Sequence, residues 1–240
     1  MEGLTEDILV IIQGRMGSKR FPGKTLYPFK GVPSLEYLVS SVQTIFSNKQ
    51  IYIATSTNEE NNKIRDYCAK SHLNCYNGNE SNVASRFMEI LIKVKSKAFI
   101  RLNGDSPLFD SGVLISMLNE FSDRLNLDLV TTSYKSKFPS GMNAELIRTE
   151  VFIESYKNFI LEEHFEHVTK FFYDNSKEYN ILNLEFPYPD YCNLKFSFDT
   201  EEDKVKLEKF FSSLTKPIKS YSLLEKLHLM NSINDVPAKI

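Results

Sequence analysis

Asp7-Ile8-Leu9-Val10-Ile11-Ile12 runs straight into Gln13-Gly14-Arg15-Met16-Gly17-Ser18-Lys19-Arg20-Phe21-Pro22-Gly23-Lys24. The apolar run is too short for a helix and has no polar alternation, which marks a strand buried on both faces. The loop behind it carries three glycines, a hydroxyl and four cations. Glycines let backbone N–H groups approach an anion, and the cations neutralise it, so the loop reads as a phosphate cradle. An exposed basic turn would have the same composition. Position favours phosphate, because ligands of open α/β sheets sit beyond the carboxyl ends of strands.

Outward from this stretch, strand and helix patterns alternate to about residue 133. Leu35, Leu38, Val39, Val42, Ile45 and Phe46 recur at helical spacing. Residues 50–55 read as a strand, 58–71 as a helix and 73–76 as a strand. Val83, Phe87, Ile90, Leu91 and Val94 stripe another helix, and residues 97–102 form a strand ending at Asn103-Gly104-Asp105. Asp110 can cap a helix carrying Val113, Leu114, Met117, Leu118 and Phe121, and residues 127–132 close the series. Such alternation predicts an α/β three-layer sandwich around a mostly parallel, Rossmann-like sheet. The second half is less regular. Phe138-Pro139-Ser140-Gly141 is a turn, residues 161–174 look helical, 194–198 form a strand leading to Asp199, and 201–214 are helical. The expected organisation is one domain. Residues 134–193 would form an excursion for dimerisation or acceptor binding, and the chain would return to the sheet at Asp199.

Two phosphate motifs fail on counting. Gly14 and Gly17 supply GxxG where a dinucleotide fingerprint needs GxGxxG. Gly23-Lys24-Thr25 resembles the end of a P-loop, but Gly17 is one residue too far forward. Pro28 would also interrupt the helix that should start there. Among 240 residues, 25% are charged and the formal net charge is −2, so no basic surface announces a nucleic acid. No apolar run approaches the ~20 residues needed to cross a bilayer. Cys68, Cys75 and Cys192 are odd in number and lack CxxC spacing, so a cytoplasmic location is expected.

The loop from Ile11 to Lys24 resembles the signature loop of the cytidylyltransferases that make CMP-activated keto-acid sugars, the CMP-Kdo and CMP-acylneuraminate synthetases. It is most similar to the branch of spore coat polysaccharide biosynthesis protein F. Further matches follow in order: Ala54-Thr55-Ser56, Gly78 with Arg86, Arg101-Leu102-Asn103-Gly104-Asp105-Ser106-Pro107-Leu108, Phe138 to Gly141, Glu145, Glu166-His167-Val168-Thr169 and Phe198 to Asp203. The chain departs from the pattern at Gly14 (an alanine in the branch), Phe21 (a leucine) and Asn82 (an aspartate). Ser197 replaces the second aspartate of the acylneuraminate enzymes.

The resemblance implies transfer of CMP from CTP to a small acceptor, with Mg²⁺ as cofactor and a homodimeric assembly. Asp105 and Asp199 would hold the metal, although taken in isolation a turn residue and a helix cap explain them better. Arg15, Lys24 and Asp105 are the candidate catalytic residues. Gln13, Gly14, Arg15, Gly17, Ser18, Arg20, Lys24, Thr55, Ser56 and Arg86 are candidates for holding the nucleotide. Arg101, Gly141, Glu145 and His167 are candidates for the acceptor, a buried ion pair being the alternative for Arg86 and Arg101. Use of another triphosphate, a phosphorylated or phosphonate acceptor, or a silent nucleotide-binding scaffold stays open. His164 and His167 lack further partners at zinc spacing.

Overall fold

The computed structural model describes residues 5–135 and 137–234. In chain order, β1 (Ile8–Gln13) leads to a small hairpin, β2 (Pro28–Phe29) and β3 (Val32–Pro33), and then α1 (Ser34–Val42). The alternating part continues with β4 (Ile51–Ser56), α2 (Asn62–Lys70), β5 (Asn74–Gly78), α3 (Val83–Lys93), β6 (Ala98–Asn103) and α4 (Ser111–Asp123). Then come β7 (Leu129–Thr131), β8 (Ala144–Arg148), α5 (Thr149–Tyr156), α6 (Glu162–His167), α7 (Lys170–Asp174) and β9 (Ile181–Asn183). α8 (Glu201–Ser213) and α9 (Leu223–Asn234) follow.

Among the described residues, seven strands form the central sheet in the order β5-β4-β1-β6-β8-β7-β9. β1 lies parallel between β4 and β6, β5 pairs in parallel with β4 and β9 with β7, and of these strands only β8 runs against its neighbours. Even-numbered apolar residues of β1 (Ile8, Val10, Ile12) join α1, α2 and α4 in one core, while Leu9 and Ile11 join α3, α5 and α7 in the other. Each large apolar side chain fully buried there contributes about 1.5–3 kcal/mol. Asn82 caps α3 by accepting the Ser85 N–H at 2.8 Å, so this departure from the branch keeps the cap. Asp110 caps α4 through the Gly112 N–H at 2.9 Å, as expected.

Three expectations change. Residues 134–193 do not form an excursion away from the sheet, because they contribute β8 and β9 to it. β8 is buried on both faces over four of its five residues, so no polar alternation marks it. Residues 194–198 do not join the sheet. Their period-two pattern is real, but Leu194, Phe196 and Phe198 face a third core with α8 and α9, and the backbone makes a single bridge, Ser140 to Lys195. The helix expected over 161–174 is also broken in two. Val168, at φ 53 and ψ −55, is the centre of a tight turn in which the Thr169 N–H donates to the His167 carbonyl at 2.5 Å. That handedness of γ-turn is rare and strained, the more so for a β-branched residue.

On the α3 face the sheet turns polar toward the carboxyl end of β1. Ile11 gives way to Gln13 and Phe99 to Arg101, while on the strands beside them Ile147 gives way to Glu145 and Leu129 to Thr131. This edge positions the site.

Candidate active site

A cleft of about 370 Å³ opens at that edge, between the β1 loop, the end of β6, α3, the α6 terminus and the start of α8. Five cationic side chains line it (Arg15, Lys19, Arg20, Lys24, Arg86) against three carboxylates, Asp105, Glu166 and Asp199. The excess of positive charge suits a polyanion.

The β1 loop is held from below. Gly14 N–H donates to the Ala54 carbonyl at 3.1 Å, and Gly23, at φ 80, donates to the Met16 carbonyl at 2.8 Å. Buried Asn61 accepts the Met16 N–H at 2.8 Å and donates to the Ser56 hydroxyl at 2.6 Å. The Thr25 hydroxyl donates to the Arg15 carbonyl at 2.9 Å. A methyl on Gly14 would stand 3.0 Å from Thr25 Cγ2, so glycine here fits its neighbour. Phe21 packs edge-on against Tyr27 and Phe198, which accommodates the larger ring.

Lys24 is the centre of the charge cluster. Its Nζ lies 2.5 Å from Asp105 Oδ2 and 2.6 Å from Asp199 Oδ1. Burial by itself would lower the Lys24 pKa, but the two carboxylates outweigh it and hold the ammonium above the ordinary lysine value. Burial would likewise raise Asp199, yet Lys24, then Arg20 at 3.3 Å and Lys195 at 3.8 Å, hold it below the ordinary aspartate value. Asp203 supports the same turn. Its Oδ2 accepts the N–H groups of Asp199 and Thr200 at 3.0 and 3.1 Å and meets Lys195 at 2.5 Å, so it fixes the turn that presents Asp199. Behind that turn, Gly141 at φ 91 lies against the backbone of Phe196 and Ser197, and Ser140 and Ser197 hydroxyls meet at 2.7 Å.

Ten residues expected in the site line the cleft: Gln13, Gly14, Arg15, Ser18, Arg20, Lys24, Arg86, Asp105, His167 and Asp199. Gly17, Thr55, Ser56, Arg101, Gly141 and Glu145 do not. Arg101 and Glu145 spend their charge on each other, with Nη1 to Oε2 at 3.0 Å and side chains 10% and 5% exposed. Arg101 Nε also donates to Gln13 Oε1 at 3.0 Å, while Glu145 accepts from Thr169 and Tyr173 at 3.2 Å each. They lie beneath the cleft and support its floor through Gln13. Arg86 does both: it lines the cleft while donating to the carbonyls of Asn79 and Glu80 at 2.6 and 2.7 Å. That loop returns Glu80 to Arg15 at 2.8 Å. His164 is buried, with Nε2 3.1 Å from Asp174 Oδ2, while His167 lines the cleft. Asn61, Glu80 and Glu166 were not singled out in sequence. Glu166 stands in the matched Glu166-His167-Val168-Thr169 stretch, but polar residues like Asn61 and Glu80 carry no local signal of a distant partner.

A cation-lined cleft at the carboxyl edge of a mostly parallel sheet, with carboxylates from two chain segments converging on one point, is the arrangement that suits a nucleotidyltransferase. The chain belongs to the cytidylyltransferase family, whose model matches residues 9–235. It is 32% identical over 214 residues to the spore coat polysaccharide biosynthesis protein SpsF of Bacillus subtilis (strain 168), covering 85% of this chain and 86% of that protein. It is 24% identical to the 3-deoxy-manno-octulosonate cytidylyltransferase of Escherichia coli over 51% of this chain and 49% of that one. Among solved structures, a cytidylyltransferase from Leptospira borgpetersenii superposes with a TM-score of 0.87 at 21% identity, covering 94% of each chain. A CMP:2-keto-3-deoxy-manno-octonic acid synthetase in complex with CTP gives a TM-score of 0.63 at 16% identity, over 86% of this chain and 99% of that one. Among the described residues no helix is long and apolar enough to cross a membrane.

Proposed function

We propose that the chain transfers CMP from CTP to a small acceptor, a sugar acid or related precursor of a surface polysaccharide, and releases pyrophosphate. The observation that carries this reading is the convergence of Asp105 and Asp199 on Lys24 beside a cation-lined loop. The relatives named for cytidylyl transfer and for spore coat polysaccharide supply the donor and the acceptor class.

The two carboxylates fit Mg²⁺, which is bound by one or two protein carboxylates and completes its shell with water and phosphate oxygens. When bound, the ion would act as a Lewis acid on the phosphate oxygens. Arg15, Arg20 and Lys24 would surround the triphosphate and neutralise the charge that develops on the leaving pyrophosphate. An acceptor oxygen forms the bond to the α-phosphorus as the bond to the bridging oxygen breaks. Gln13 would present its amide N–H₂ to the ligand: Arg101 can only donate, so the amide oxygen must face it. Glu166 and His167, across the cleft, would meet the acceptor. Positioning and electrostatics then carry the rate without a covalent nucleophile. The proposal extends to a homodimer in the cytoplasm. Ile160 and Leu161, 82% and 51% exposed, suit burial against a second copy, which sedimentation would detect.

A thermal-shift panel of CTP, UTP, GTP and ATP, each with and without Mg²⁺, tests the donor. A selective, Mg²⁺-enhanced shift with CTP is expected. Preference for another triphosphate would move the donor, and no shift with any of them would leave a silent scaffold.

A further inference from the structure

Lys24 occupies the point where a divalent ion would be held. Its ammonium touches both carboxylates, and the three side chains are only 15%, 23% and 21% exposed, which limits solvent screening between them. Arg20 and Lys195 add positive charge beside Asp199. A divalent cation approaching these oxygens therefore meets an ammonium already seated between them and two more cations behind it.

We propose that Lys24 is an internal counter-ion that closes the Asp105–Asp199 pair to divalent metal until a polyphosphate draws it away. Metal and nucleotide then load cooperatively, and metal alone binds weakly. This rests on the reading of Asp105 and Asp199 as metal ligands. Lys24 can make the exchange because it ends the β1 loop, directly after left-handed Gly23, and lines the same cleft as Ser18 and Arg20. A lysine ammonium is a compact point charge on a flexible stem, free to follow the densest negative charge within reach. A bound triphosphate supplies that charge. Once Lys24 turns toward it, two neighbouring carboxylates are left facing each other and their affinity for a dication rises. Linkage makes the effect reciprocal: metal tightens nucleotide by the factor by which nucleotide tightens metal.

The test is a titration with Mn²⁺ alone, read by the electron paramagnetic resonance of the free ion. It compares wild type, Lys24→Met, and Lys24→Met combined with Asp105→Asn, without nucleotide. Wild type should bind Mn²⁺ weakly, Lys24→Met at least about tenfold more tightly, within the usual range of coupling between sites, and the double variant should lose that gain. In parallel, CTP in a chelator should raise the melting temperature of wild type, and Mn²⁺ should enlarge that shift. If Lys24→Met is too unstable to titrate, Lys24→Gln replaces it. Mn²⁺ binding to nucleotide-free wild type as tight as to the lysine variants would overturn the proposal. If no variant binds Mn²⁺ and CTP stabilises the protein equally with and without it, the metal reading fails and this inference with it, while nucleotide binding stands.

Discussion

Gly141→Ala should damage the site from behind, and Gly31→Ala is its internal control. Both glycines are left-handed, at φ 91 and φ 76. In both, alanine costs about 1–2 kcal/mol for the left-handed backbone, partly offset by up to about 1 kcal/mol from a less flexible unfolded chain. The surroundings differ. A Cβ on Gly31 meets nothing within 4 Å, whereas one on Gly141 lies 2.5 Å from both Phe196 C and Ser197 N, backbone atoms that cannot turn aside. Overpacking of that kind adds about 1–3 kcal/mol. For a chain of this size the excess over Gly31→Ala corresponds to a melting temperature lower by roughly 2–12 °C. Because the displaced segment carries Asp199, Gly141→Ala should also lose the Mg²⁺-dependent part of the CTP shift, which Gly31→Ala should keep. Urea denaturation and thermal shift on the two variants decide it. Equal stability losses would refute the claim that the turn at 138–141 braces residues 196–199.

Asp105→Asn should keep the wild-type fold by circular dichroism and lower pyrophosphate release by at least about 10²-fold, as loss of a group that organises transition-state charge does. Release at the wild-type rate would remove Asp105 from the metal site. Arg101→Met should cost about 3–5 kcal/mol in urea unfolding, because it strands the Glu145 charge, and Arg101→Met with Glu145→Leu should recover much of it. A double variant no more stable than the single one would argue against an ion pair. Stability should also fall on the acid side. Asp199 and Asp203 are held below 3.8, so their contribution is complete above that ordinary value and is lost as pH drops through the lowered ones. Lys24, held above 10.5, contributes below that value and loses its contribution as pH climbs past the raised one. Urea midpoints between about pH 3 and about pH 7 should therefore fall less steeply in Asp203→Asn than in wild type.

The sequence was most legible where one physical constraint acted alone. β1, β4 and β6 are apolar runs between turns, and the caps Asn82 and Asp110 stand at the starts of α3 and α4. The loop cations and Asp105 line the cleft from the ends of β1 and β6, as strand-end chemistry predicts, whereas Asp199 reaches it from a segment outside the sheet. β8 was missed because Ala144-Glu145-Leu146-Ile147 is buried on both faces, with a charge that only a partner from β6 explains. For the same reason Arg101 and Glu145 looked like ligand contacts: a charge on a strand reads alike whether it meets substrate or a buried opposite charge. The break at Val168 was invisible, since valine has no preference for left-handed backbone and only tertiary packing holds it there.

The Lys24 cluster also has a meaning for how the chain acquires activity. Lys24 is 81 residues from Asp105 and 175 from Asp199. Contacts of such separation form late, after most loop-closure entropy has been spent. A growing chain therefore supplies every strand of the sheet, through β9, before it supplies Asp199, and a fragment ending ahead of Asp199 has the cradle without the clasp. The ammonium that joins the three segments serves as a clasp that can close only once Asp199 is in place.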